Sequence, residues 1–304
     1  MMMHQTKHLL MIQPVNFGFN AETAVNNTFQ KDTGGNLQQK ALQEFNGFVS
    51  LLRNHKVDVT VIEDSLTPST PDSVFPNNWI SFHDDGRIFL YPMFAVNRRL
   101  ERKDTVLESI KIKFLVKEII DLSGSEATGL FLEGTGSMVL DRENKIAYAC
   151  LSPRTDENIL NKFCNMAGYR PVTFRATDIT GVDIYHTNVM MCVAGSYAVI
   201  CLDSIADAEE RKNLTESLVK TNKEIVDISL QQLNSFAGNM LQVKNADDEL
   251  LLVMSTQAFK SLTELQIKKL QKHNRIIHSS LLTIETAGGG SARCMLAEVF
   301  LEKK

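Results

Sequence analysis

The chain has 304 residues, of which 43% are hydrophobic and 22% charged, an ordinary globular balance that excludes disordered, collagen-like and coiled-coil chains. Thirty-two basic against 36 acidic side chains leave a formal net charge of −4, without the basic excess that a nucleic-acid partner requires. Five cysteines, odd in number and without a C-x-x-C pair, argue against a disulfide framework or a structural zinc site and point to a reducing cytoplasm. At the N-terminus, Met1 to His8 precede an apolar run that Gln13 and Pro14 end far short of a signal core or membrane span, and no later stretch is long enough.

Residues 9–13 read as a strand, 37–52 as a helix and 57–62 as a further strand. Pro68, Pro71 and Pro76 make 65–77 an extended loop, better suited to a site rim than to a domain linker. Beyond it a pattern repeats. Short apolar strands open at Asn78, Ser137, Asn188, Asn239 and Arg293, so that the period runs from 51 to 59 residues. The first four lead through a polar turn into second strands at 87–91, 145–150, 197–202 and 249–254, each pair a hairpin. A helical pattern follows, as where Thr155 and Asp156 precede Ile159, Leu160, Phe163 and Met166. Third strands at 119–122, 171–174, 224–228 and 275–278 close the units. The fifth unit is split, with 294–301 at the C-terminus completed by 9–13, 37–52 and 57–62. Five strand-strand-helix-strand units that cannot bury an apolar face singly predict one α/β domain over 1–304, a five-bladed propeller about a central axis.

Cys294 follows three consecutive glycines, which let the backbone approach a ligand closely. With Arg293 and free amides nearby, its thiol fits a nucleophile, or else a buried Cys after a flexible turn. His186 stands just before an apolar hairpin, where the unit openings converge, and suits proton transfer to a leaving nitrogen or a capping role. Glu133, between Leu132 and Gly134, is an acid in apolar surroundings that needs a partner, and the imidazole is the natural one. Asn78 and Asn188 hold corresponding unit positions with amides able to donate and accept. Arg154, and Arg98 with Arg99, are candidates for a bidentate fork on a substrate carboxylate. The glycine run is no phosphate loop, because no Gly-Lys-Ser/Thr follows it.

Taken together, Glu133-Gly134-x-Gly136, Ser152-x-Arg154-Thr155, His186-x-Asn188, Gly238-Asn239 and the Gly-rich run into Cys294 resemble the amidinotransferase, or guanidino-group-modifying, superfamily over nearly the whole chain. Within it, Met11-Ile12-Gln13-Pro14 with Phe19-Asn20, Phe75-Pro76-Asn77-Asn78-Trp79 and Arg293-Cys294-Met295 are most similar to the citrulline ureidase-like (citrulline utilization hydrolase) branch. The resemblance implies a five-bladed α/β propeller (pentein), with Cys294 as nucleophile, His186 as general acid/base and Glu133 as the acidic partner. Arginine and dimethylarginine hydrolases of the superfamily carry aspartates where this chain has Asn78 and Asn188. A guanidinium wants carboxylates around it, whereas a neutral ureido group would leave them uncompensated. The expected reaction is therefore hydrolysis of citrulline to ornithine, ammonia and carbon dioxide through a covalent thiocarbamoyl adduct, with no metal or organic cofactor. The implied partner is a small ureido or guanidino amino acid, with no nucleic acid and no membrane; assembly into a homo-oligomer is left open. The alternatives are an arginine or dimethylarginine deiminase-type hydrolase, and a non-catalytic binding module like the ribosome-binding translation initiation factors of the same architecture.

Overall fold

The computed structural model describes residues 5–304; Met1 to His4, read above as part of the polar N-terminus, lie outside the described residues. Among the described residues the strands form five three-stranded sheets, all built alike. Arg87–Leu90 pairs antiparallel with Ile80–Phe82 and parallel with Glu118–Asp121. Ile146–Cys150 lies in the same way between Val139–Asp141 and Arg170–Phe174. Tyr197–Ile200 lies between Met191–Val193 and Glu224–Asp227, and Leu250–Ser255 between Leu241–Lys244 and Arg275–Ser279. The remaining sheet unites the two chain ends, with His8–Gln13 antiparallel to Ala297–Val299 and parallel to Asp58–Glu63. A tight turn suffices for the antiparallel pair, but a parallel neighbour needs a crossover, which is why a helical segment precedes each third strand.

Glu157–Ala167 shows how such a crossover is specified. The Asp156 side chain accepts from Asn158 N and Ile159 N at its start, and Gly168 ends it in the left-handed region. Ile159, Leu160, Phe163, Cys164 and Ala167 form its buried face. Each large side chain so buried contributes about 1.5–3 kcal/mol, and here they join Phe89 and Tyr91 from the neighbouring sheet in one apolar cluster. The middle strand Ile146–Cys150 is buried at every residue because Ala147 and Ala149 join this cluster while Ile146, Tyr148 and Cys150 join another with Leu214 and Leu218 of the helix Ala208–Lys220.

The innermost strands lie side by side, Ala297–Val299 with Ile80–Phe82 and Met191–Val193 with both Val139–Asp141 and Leu241–Lys244. The sequence places Asn78, Asn188 and Cys294 at strand starts; the structure corrects this. Each lies on a short helical turn that precedes its strand: Pro76–Asn78, Thr187–Met190 and Ala292–Met295. Gly134–Ser137, which begins just after Glu133, is a fourth. The turns pack on one another, Gly134–Ser137 against Pro76–Asn78 and Thr187–Met190, and Pro76–Asn78 against Ala292–Met295. Helical backbone here bunches side chains that an extended strand would alternate between faces. No helix among the described residues is long and apolar enough to cross a membrane.

Candidate active site

Thr187 locks two of these turns together, its hydroxyl donating to Ser137 O at 2.5 Å while accepting from Cys150 N at 2.7 Å. His186, immediately before it, is thereby held with Nε2 2.8 Å from Glu133 Oε2. Glu133 is fully buried, and its other oxygen accepts from Phe94 N at 2.9 Å. Burial opposes its charge, but Arg154, His186 and Arg98 together outweigh that and hold the carboxyl well below the usual carboxylate range. An ionised Glu133 requires the proton of a neutral imidazole on Nε2, leaving Nδ1 as the basic atom. Burial lowers His186 to about 4 against the raising effect of Glu133, so the imidazole rests neutral at pH 7.

Cys294 is 3% exposed and donates its backbone N–H to Ser291 O at 3.0 Å. Gly289, at φ +65°, permits the tight bend ahead of it, and an added Cβ there would meet Asn27 Nδ2 at 2.5 Å. Among the described residues the hydrogen-bond partners of its sulfur are Asn239 Nδ2 at 3.2 Å and Asn188 Oδ1 at 3.7 Å. Burial raises the thiol, with Ser291, Asn239, Arg293 and Asn188 acting against that. The other four cysteines are small apolar fillers, as their sequence surroundings suggested; burial pushes Cys150, Cys164 and Cys192 up to about 12.

Cys294 and His186 line one small hollow with Asp72, Asn78, Arg98 and Arg154, while Glu133 stands behind the imidazole. A wider cleft bounded by Ser229, Lys260 and Leu281 contains none of these groups. The arginines are not free forks. Arg98 is clamped on Glu101 at 2.8 and 2.9 Å and donates NH1 to Asn78 Oδ1 at 2.9 Å. Arg154 donates to Asn26 Oδ1 at 2.8 Å and Thr23 O at 2.7 Å, and faces Glu133 at 3.5 Å. Arg99 is spent on carbonyls of Met93 and Phe94. Because Arg98 can only donate, it fixes the Asn78 amide with Nδ2 turned away from it, and that Nδ2 has no partner.

Sequence reasoning missed Asp72 and gave Asn239 no role. Asp72 is 2% exposed; Oδ2 accepts from Asn20 and Thr23, whereas Oδ1 is unpartnered. Its signal was present as a carboxylate within the proline-rich loop read as a site rim. Asn239 occupies the same unit position as Asn78 and Asn188, so the repeat itself singled it out. Among the described residues no group of three or more His, Cys, Asp or Glu is placed to hold a metal ion.

Gly136 shows how tightly the site is closed, since a Cβ there would come 2.3 Å from Asn78 Nδ2 and 2.8 Å from His186 Nδ1. Gly136→Ala is expected to displace both and to lower kcat at least about 100-fold, measured by steady-state kinetics; a kcat within threefold of the parent would show that neither group must hold its place.

The model of the family described as N,N dimethylarginine dimethylhydrolase, eukaryotic, matches residues 13–301. The chain belongs to this family. With it, the chain is a member of the pentein, or amidinotransferase, superfamily. No curated protein sequence matches the chain. Among solved structures, ArgZ, an arginine dihydrolase from the ornithine–ammonia cycle in cyanobacteria, superposes with a TM-score of 0.75 at 17% identity over 97% of this chain. This chain spans only 40% of full-length ArgZ but 98% of its N-terminal domain. AgrE, solved with ornithine and NAD+, gives a TM-score of 0.73 at 17% identity, covering 96% of this chain and 39% of AgrE. A dimethylarginine dimethylaminohydrolase bound to S-methyl-L-thiocitrulline gives 0.64 at 14% identity, covering 96% of this chain and 99% of that one. These likenesses establish a shared mixed α/β pentein fold. The family matched is the dimethylarginine one, so the citrulline branch rests on the sequence motifs alone.

Proposed function

We propose that the chain, as one five-bladed domain, is a cysteine-dependent hydrolase acting on the guanidino carbon of arginine or an N-substituted arginine. The observation that carries the reading is the hollow shared by Cys294, His186 and Asp72, a buried carboxylate whose Oδ1 has no partner. The buried shell holds three carboxylates, Asp72, Glu101 and Glu133, against two guanidinium groups, Arg98 and Arg154. Burial raises both Asp72 and Glu101, the latter to about 7, but Glu101 is held by Arg98 at 2.8 and 2.9 Å, whereas Asp72 has Arg98 no nearer than 3.9 Å and lacks a close positive charge. A cationic guanidinium supplies that charge and offers N–H donors to Asp72. This count reverses the preference for citrulline, which considered only the asparagines that replace aspartates.

In this reading His186 Nδ1 takes the thiol proton and the Cys294 sulfur attacks the trigonal guanidino carbon. The tetrahedral species collapses with loss of ammonia or an alkylamine, to which the imidazolium returns the proton. Water, deprotonated by the same imidazole, then attacks the sulfur-bound carbon and expels the thiolate, leaving a ureido product. Glu133 keeps Nε2–H in place and stabilises the imidazolium. With Arg98 and Arg154 held by protein groups, their task is to fix Asn78 and Glu133, and neither is assigned to the substrate carboxylate.

A ureido substrate is the second reading. Asn78 Nδ2 lies beside His186 Nδ1 around Gly136 without an acceptor, and a ureido oxygen would supply one. Purified protein incubated separately with L-arginine, dimethylarginine, citrulline and agmatine, with products identified by mass, is expected to convert a guanidino amino acid to a ureido product and a free amine. Turnover of citrulline with the guanidino compounds untouched would reject the first reading in favour of the second.

A further inference from the structure

We propose that Asn239 is a catalytic residue that holds the nucleophilic sulfur of Cys294 as the thiolate. The inference rests on the reading of Cys294 as nucleophile and goes beyond it by assigning the group that makes a buried thiolate tenable.

The amide of Asn239 is fully buried, and each of its polar atoms has a defined partner. Oδ1 accepts from Arg293 N at 3.0 Å. One Nδ2 hydrogen goes to Asn188 O at 2.8 Å and the other to Cys294 Sγ at 3.2 Å. A backbone N–H can only donate and a backbone carbonyl can only accept, so the two backbone groups forbid the flipped amide. Nδ2 therefore always presents N–H to sulfur. The same side chain also grips the residue immediately before Cys294, tying the position of the nucleophile to its electrostatics.

Asn188 approaches the sulfur from another turn with the opposite polarity. Its Oδ1, 3.7 Å away, can accept from the thiol but not from a thiolate. The two amides thus divide the protonation states, Asn188 suiting S–H and Asn239 suiting S⁻. In a water-poor site a charge without a donor is costly, and a pre-oriented amide is worth most there. The titratable and charged groups facing the sulfur are Arg293 beside it, Tyr185, and, across the hollow, His186, Asp72, Arg98 and Arg154. Arg293 turns its guanidinium away to Leu296 O and Glu298, at 2.7 and 3.0 Å, so among the described residues no cation makes a direct hydrogen bond to the sulfur.

Asn239→Asp separates the donor from the clamp, because a carboxylate keeps an acceptor for Arg293 N while removing the N–H and adding charge beside sulfur. The readout is the rate of iodoacetamide alkylation of Cys294 against pH, assigned to that site by peptide mass in the full chain. Alkylation follows the thiolate, so the profile is expected to move to higher pH, with alkylation at pH 7 slowed about tenfold. Asn239→Ser, which removes bulk without adding charge, is expected to move it in the same direction by less. A profile that stays put in both variants, or in whichever of them folds, overturns the assignment. Alkylation requires no substrate, so a wrong substrate leaves this result standing. Retained turnover in Cys294→Ala would instead remove the nucleophile reading without moving either profile.

Discussion

Cys294→Ala is expected to lower kcat by at least about 10,000-fold while the protein remains folded. The sulfur is the atom proposed to bond to the substrate carbon, and the two hydroxyls that share the hollow are committed to carbonyls, Thr23 to Asn20 O and Tyr185 to Gly289 O. The side chain is small and its sulfur makes only two long contacts, to Asn239 and Asn188, so loss of packing is modest. Cys294→Ser is the sharper comparison. It keeps the volume and the hydrogen bonds, but an alcohol is far harder to ionise and is expected to be nearly as inactive. Activity within tenfold of the parent in either variant, in preparations shown free of parent enzyme by mass, would remove the covalent scheme. Substrate mixed with the parent enzyme and quenched within a turnover is expected to add mass to the peptide bearing Cys294.

The second large effect is expected at Glu133→Gln, with kcat falling by about 1,000-fold. An amide can satisfy Nε2 by geometry but cannot stabilise an imidazolium, and it leaves Arg154, 3.5 Å away, and Arg98, 3.9 Å away, under-compensated. Breaking a buried ion pair of this kind costs roughly 3–5 kcal/mol of stability, so kinetics belong well below the variant's melting temperature. The pH dependence distinguishes a chemical role from simple destabilisation. In the parent, His186 lowered to about 4 sets the acid limb of kcat/KM, and the raised Cys294 thiol sets the alkaline limb. Glu133 is what raises His186 against burial, so removing its charge lowers the imidazole further and moves the acid limb to lower pH even as kcat drops. A kcat within threefold of the parent, or an acid limb that stays in place, would detach Glu133 from the imidazole's chemistry.

The repeat was legible because it is written locally. Hairpins, caps such as Asp156 and apolar periods of helix and strand each depend on residues a few positions apart, and five copies reinforced one another. Cys294, His186 and Glu133 stood out for a related reason, as reactive or ionisable groups among glycines and apolar neighbours where a merely structural role would be awkward. The helical turns beneath Asn78, Asn188 and Cys294 were not legible. Segments of three or four residues show no period, and their backbone is set by contacts such as Thr187 to Ser137 across 50 residues.

The arginines show why local reading stops there. Arg98 and Arg154 have the chemistry to bind a carboxylate, yet both are committed, Arg154 to Asn26 across 128 positions of sequence. Asp72 shows the converse, an ordinary loop acid made important because it lines the same hollow as Cys294 and its Oδ1 is buried without a partner. From sequence alone came the modular architecture, the pentein resemblance and the candidates for the reactive groups, all carried by short-range pattern and side-chain chemistry. Tertiary structure alone decided how charge balances in the hollow, on which the proposal of a cationic substrate is built. The balance at a buried point sums every group within a few ångströms, and those groups come from segments that only folding brings together.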